Sequence, residues 1–314
     1  MRLYYTDHFE LPLPVGHRFP MSKYRSLRRR IVTDPAHQRD VLLVPPAATD
    51  DQLRLCHHVD YLNAVVAGTL TQAQVRRIGF PYSPKMVERS RRSTGATLAA
   101  ARAALSGDGV SANLAGGTHH AMRDAGEGYC VFNDAAVTLR TLLAERQIRR
   151  GVVLDLDVHQ GNGTAQITAS DAAIWTVSVH GEKNFPLRKF PSDLDVDLPD
   201  GTADAEYLTT VKTVLDAIDD EAMLHGDFDL MVYLAGADPF VGDRLGRLAV
   251  TKDGLRARDE TVLDWAAKRQ LPVALAMAGG YAPNVDDIVD IHATTLRVAS
   301  EHARSQHASD GPGL

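Results

Sequence analysis

Short apolar runs alternate with longer amphipathic stretches along this chain. The runs 151–158 (GVVLDLDV), 173–179 (AIWTVSV), 229–235 (DLMVYLA) and 271–278 (LPVALAMA) are rich in Val, Leu and Ile and too short for helices. They read as buried strands. Segments 110–115 and 41–44 are weaker strand candidates. Helical periodicity marks 84–105, 133–146, 203–224, 252–269 and 285–303, with Asp253 and Asn284 as N-caps. Strand alternating with helix predicts an α/β domain with a mainly parallel central sheet flanked by helices in three layers. No internal repeat or long linker interrupts the pattern, so one domain over 1–304 is expected. The small, polar segment 305–314 is expected to be disordered.

This architecture says where chemistry should sit, because sites in open parallel sheets form beyond the carboxyl ends of the strands. Those ends carry His119-His120, Asp157 and His159, His180, Gly236-Ala237-Asp238 and Gly279-Gly280-Tyr281. Side chains two apart on an extended strand share a face, so Asp155, Asp157 and His159 point one way while Leu156 and Val158 enter the core. Two acids and a histidine on a buried face are costly unless something compensates their charge. A divalent cation would do so; a polar strand end with hydrogen-bonded carboxylates is the plainer alternative. Asp238 ends its own strand and completes three N/O ligands with Asp157 and His159, the number a catalytic zinc site uses. Fe(II) suits the same donors.

The tandem His119-His120 follows Gly116-Gly117 in a stretch that can loop and aim both rings inward. A neutral imidazole beside an activated water is a suitable general base. The other pair, His57-His58, starts a helix-like segment without glycines and reads as structural. Tyr281 could donate to a developing oxyanion. Asp193–Asp200 lacks the spacing of a calcium loop and reads as a solvated edge or turn. No phosphate loop and no GxSxG elbow is present.

Composition narrows the class further. The chain has 314 residues, 44% hydrophobic and 24% charged, with a formal net charge of -6. That balance does not support nucleic-acid binding, and the run Arg28-Arg29-Arg30 reads as solvated helix charge. Two cysteines, Cys56 and Cys130, offer neither a disulfide framework nor a sulfur-bound zinc. Neither a signal-peptide pattern nor a membrane-length apolar run appears, so a cytoplasmic enzyme is expected.

Taken together, the blocks GHRFPMSKY (16–24), AGGTHHA (115–121), GYCVFNDAA (128–136), DLDVHQGNGTA (155–165), SVHGEKNFP (178–186), AGADPFVGDRLGRLAVT (235–251) and AGGY (278–281) resemble the histone deacetylase family. The chain looks nearest to compact bacterial members similar to the class IV enzymes. The resemblance implies the arginase–deacetylase fold and hydrolysis of an acyl group from an amine, with acyl-lysine proteins or small acylated amines as substrates. It implies that Asp157, His159 and Asp238 bind zinc. It further implies that His119 and His120 act as acid and base and that Tyr281 is the catalytic tyrosine. Asp155 and Asn162 would orient the two histidines; many relatives carry Asp at the second position. Gly128, Tyr129, Phe185 and Gly280 would line the acyl-lysine tunnel, and Arg18 would lie near the acetate-release pocket. Asp155, Asp157, the His159 carbonyl and Ser178 match a structural potassium site. Departures are Gln160 for a second histidine, Thr118 for a tryptophan, and the segment 80–84 (FPYSP), which lacks an aspartate used to hold substrate backbone. An arginase-like two-metal hydrolase and a non-catalytic acyl-amine binding protein are the rival readings.

Overall fold

Eight strands, β1 (Arg2–Tyr4), β2 (Val41–Leu43), β3 (Val110–Asn113), β4 (Gly151–Asp155), β5 (Ile174–Gly181), β6 (Leu194–Leu198), β7 (Leu230–Leu234) and β8 (Val273–Ala276), form one sheet in a computed structural model that describes residues 1–309. Their order is β2-β1-β3-β8-β7-β4-β5-β6, and every neighbouring pair is parallel. The helices are α1 (Ser22–Thr33), α2 (Asp50–Arg54), α3 (Val59–Ala67), α4 (Gln72–Ile78), α5 (Pro84–Ala103), α6 (Asp134–Ala144), α7 (Asn162–Thr168), α8 (Asp204–His225), α9 (Lys252–Lys268) and α10 (Val285–Ser309). The expected three-layer α/β architecture is present, with the sheet wholly rather than mainly parallel.

The period of two decides which side chains enter which layer. Val152 and Leu154 of β4, Met231 and Tyr233 of β7, and Val273 and Leu275 of β8 are buried in one core, with residues of α8, α9 and α10. The alternating residues Val153, Val232 and Ala274 join a second core with residues of α5 and α6. Each buried Val, Leu or Met side chain among them contributes roughly 1.5–3 kcal/mol of burial. The alternation continues past the strand ends: Leu156, Val158, Ala235 and Ala237 stay in the first core. Asp155, Asp157 and His159 therefore keep the parity of Val153, and Asp238 that of Leu234.

Local expectations fare unevenly. Asn284 accepts a hydrogen bond from the Asp286 amide at 3.1 Å, as an N-cap does. Asp253 does not cap α9; Thr251 does, accepting from the Gly254 amide, and Asp253 lies within the first turn. There its charge faces the positive end of the helix dipole instead. The acid-rich segment 193–200 contains β6, the outermost strand, so it is an edge and more regular than a turn. Of the segment expected to be disordered, 305–309 belongs to α10, which extends past the boundary set at 304; 310–314 lies outside the described residues.

One buried ion pair joins the helical layer to a strand tip. Arg258 of α9 is fully buried; its Nε donates to Asp259 Oδ1 at 2.9 Å and its Nη1 to the Gly236 carbonyl at 2.7 Å. The Tyr233 hydroxyl donates to Asp259 Oδ1 at 2.6 Å, and Thr295 Oγ1 of α10 donates to Asp259 Oδ2 at 2.5 Å. Removing one member leaves a buried charge unpaired, so Arg258→Met is expected to lose about 3–5 kcal/mol of stability. Urea denaturation measures this; a loss below about 1 kcal/mol would show that the pair carries no such weight.

Candidate metal and catalytic centre

The tips of β4 and β7 bring Asp157, His159 and Asp238 together, all buried, with their ligand atoms within 4.8 Å of one another. His159 Nδ1 lies 2.9 Å from Asp157 Oδ1 and 3.2 Å from Asp238 Oδ2. Backbone amides fix the carboxylates: Val158 N donates to Asp238 Oδ1 at 3.0 Å, and Gly279 N to Asp157 Oδ2 at 2.7 Å. Asp238 Oδ2 is buried without a well-aligned hydrogen-bond donor. A buried, under-satisfied carboxylate oxygen facing an imidazole nitrogen and a second carboxylate fits a divalent cation, with the N/O donors of a catalytic site.

The electrostatics express the same demand. Burial pushes the Asp238 carboxyl up to about 7, helped by the Asp157 charge. Burial opposes protonation of His159, but its hydrogen bonds to Asp157 and Asp238 and their charges outweigh it and lift the ring to about 10. The imidazolium proton here stands where a cation could neutralise the acids.

Beside this cluster sit the tandem histidines. His119 Nδ1 donates to Asp155 Oδ2 at 2.7 Å, and His120 Nδ1 to Asn162 Oδ1 at 2.7 Å, so both rings turn Nε2 inward, 3.2 Å apart. Their loop has Gly116 and Gly117 at positive φ and hangs on Asp134, which accepts from the Gly117 and Thr118 amides. Asn133 donates to the His119 and Ala121 carbonyls from the same helix start. Tyr281 is buried, its ring centroid 6.1 Å from that of His159 at 82°, and its amide donates to Asp243 Oδ2. His120, His159 and Tyr281 all line an outer cavity of about 470 Å³.

A histone deacetylase-type site is what these contacts resemble, and comparison with known proteins decides the family. The model for the histone deacetylase domain matches residues 17–296. The chain belongs to the histone deacetylase family. It is 40% identical over 297 residues to an uncharacterized protein of Picosynechococcus sp., covering 95% of this chain and 97% of that one. It is 28% identical to histone deacetylase 2 of Arabidopsis thaliana, over 84% of this chain and 70% of the relative. It is 29% identical to the histone deacetylase-like amidohydrolase of Pseudomonas aeruginosa, over 86% and 74%. Membership identifies the chain as a hydrolase acting on amide bonds.

Most deacetylase positions read from the sequence converge here. Gly128, Tyr129 and Phe185 line the outer cavity, with the Phe185 ring edge-on to His120 at 4.9 Å. Ser178 stands opposite Asp155 in the β4–β5 ladder, its Oγ 2.9 Å from His180 Nδ1. His180 itself turns toward β6, with Nε2 3.0 Å from Asp197 Oδ1, and stays outside the cluster. His57 and His58 are structural as expected: the first is bonded to the Met122 carbonyl and Asn133 amide, and the second caps α3.

Two assignments need correction. Arg18 is exposed and lines the outer cavity; the inner cavity of about 50 Å³ is lined instead by Arg89. The cation behind the loop before Tyr281 is Lys23, buried, with Nζ 3.4 Å from the Ala278 carbonyl and 3.2 Å from that of Gly280. Gly280 lines neither cavity: a Cβ there would press on Ile288 and Ala237, so the residue faces the core. Sequence reading also missed Asn133, Asp134 and Asp243. All three lie inside the quoted motif blocks, but nothing local separates a side chain that holds a loop from one that packs.

Gly279 passes so close to the acids that a Cβ would lie 1.9 Å from Asp238 Oδ2 and 2.6 Å from Asp157 Oδ2. Gly279→Ala is therefore expected to fold but to bind divalent metal at least about tenfold more weakly, as when other supporting groups around a metal are altered. Metal titration alongside circular dichroism checks this; undiminished affinity would refute the close approach.

Proposed function

We propose that this chain hydrolyses acyl amides of lysine or of small amines with one divalent ion, zinc before Fe(II), held by Asp157, His159 and Asp238. The observation that carries the reading is that the ligand atoms of these three buried residues lie within 4.8 Å of one another, beside cavities lined by His119, His120 and Tyr281. When bound, the ion supplies Lewis acidity to the amide carbonyl and to the attacking water.

His120, whose Nδ1 proton is committed to neutral Asn162, offers its Nε2, 3.2 Å from that of His119, as general base. His119, anchored on Asp155, assists and returns a proton to the leaving amine. Tyr281 donates its hydroxyl proton in a hydrogen bond to the oxyanion. The Gly128, Tyr129 and Phe185 walls hold the acyl chain in line with that geometry. A structural potassium ion at Asp155, Asp157, the His159 carbonyl and Ser178 belongs to the same proposal. The ladder pairing of Asp155 with Ser178 supports it. The proposed catalytic unit spans 1–304.

Among the described residues, one cluster of metal-ligating side chains occurs, which favours a single ion over the two of an arginase-like hydrolase. The intact histidine pair and Tyr281 favour an enzyme over a binding protein. The free thiols of Cys56 and Cys130 agree with a cytoplasmic setting, and no described helix is long and apolar enough to cross a membrane.

A fluorogenic acetyl-lysine substrate tests the function with zinc-loaded protein. Tyr281→Phe is expected to keep its metal and lose about a hundred- to a thousandfold in kcat. Near-normal turnover would remove Tyr281 from the chemistry. Zinc at about 100 times Kd is expected to stabilise the native chain by about 2.7 kcal/mol, and Asp238→Ala to abolish most of that gain. Equal stabilisation of both proteins in thermal denaturation would place the ion elsewhere.

A further inference from the structure

The mouth of the site is cationic although the chain is not. The sequence carries 34 Lys and Arg against 40 Asp and Glu. Around the outer cavity the balance reverses: Arg18, Arg76 and Arg77 line it, with Glu127 as the one carboxylate. Arg77 is already paired with Glu127. Arg18 and Arg76 are exposed, and neither has an ion-pair partner among the described residues. Arg244 adds a fourth guanidinium, its Nη2 donating to the Arg18 carbonyl at 3.0 Å. Across the Phe185 wall, a second groove of about 520 Å³ repeats the pattern, with Arg77, Arg188 and Lys189 against the same Glu127.

A substrate that places its acyl group at the metal leaves its amine side facing this rim. Guanidiniums without carboxylate partners attract anions and repel ammonium groups, and a low-dielectric cleft focuses that field. We propose that the preferred substrate is an acylated amine bearing one or more carboxylates close to the scissile amide, selected by Arg18 and Arg76. Cationic polyamines and lysine-rich segments are disfavoured. The inference rests on the hydrolase reading above and names the substrate class of that site. Carboxylates can come from an acidic peptide or from a small acylated amino acid, and the rim recognises the group common to both.

The test uses zinc-loaded enzyme and three fluorogenic peptides, with acetyl-lysine flanked by aspartates, by glycines or by lysines. A fourth comparison sets Nα-blocked Nε-acetyl-lysine with a free carboxylate against its methyl amide. The expected kcat/KM order is aspartate, glycine, lysine, with about tenfold or more between the extremes at low salt and a collapse of the gap near 1 M salt. The double variant Arg18→Gln, Arg76→Gln is expected to reduce the aspartate-to-lysine ratio about tenfold. Arg149→Gln, which removes an exposed arginine paired with Asp229 beside the amino end of β4, should leave the ratio alone. A preference for the free acid over the amide assigns the carboxylate to a small substrate; a preference confined to flanking aspartates assigns it to a peptide. Turnover of all three peptides without ranking, or a ranking that the double variant keeps, overturns this inference and leaves the hydrolase reading standing. No turnover of any substrate by metal-loaded protein overturns both.

Discussion

Three carboxylates, Asp155, Asp157 and Asp238, are gathered in a space from which solvent is excluded, and the rest of the site follows from the need to balance their charge. Water would do this at a surface; inside the protein it falls to hydrogen bonds and cations. Each acid is treated differently. Asp155 spends one oxygen on the Asp157 amide and the other on His119. Asp157 is wrapped by the Gly279 and His159 amides and the His159 ring. Asp238 receives the Val158 amide on one oxygen, and its second oxygen has only the His159 ring, 3.2 Å away and without good alignment. That decreasing satisfaction from Asp155 to Asp238 leaves a demand for positive charge that a bound cation would meet.

The scaffold meets the demand by placing backbone rather than side chains next to the acids. The donors come from turns after β4 and β8, and the sheet order puts β7 between those strands. Behind them the supports are side chains far away in sequence: Arg258 grips the Gly236 carbonyl, Lys23 the carbonyls of the loop before Tyr281, and Asp134 the loop of the histidine pair. Each joins a helix to one strand tip, so the helices serve as braces for the chemistry as well as covers for the sheet.

The central strands and the candidate ligands were legible because burial on both faces forces continuous Val, Leu and Ile, and polar residues breaking such a run stand out. β1 was missed because three residues give no periodicity, and β6 was read only as a solvated edge or turn because LDVDL carries acids on alternate positions. The short helices α2 and α4 were missed for the same reason of length, whereas the start of α3 was signalled by the segment after His57-His58. Lys23 and Arg89 could not be told from surface cations, since burial of a charged residue is decided by partners that only folding brings near. Arg18 illustrates the converse: its motif was recognisable, but which of several cations nearby turned inward was not encoded locally.

The two-residue alternation that carries on beyond β4 has a consequence for how this gene can change. Deleting or inserting a single residue between Gly151 and His159 would exchange the faces, sending Leu156 and Val158 into the cavity and the acids into the hydrocarbon layer beneath α8 and α9. Length variation in that stretch is closed to gradual evolution, whereas the loops on the outer rim remain open to it.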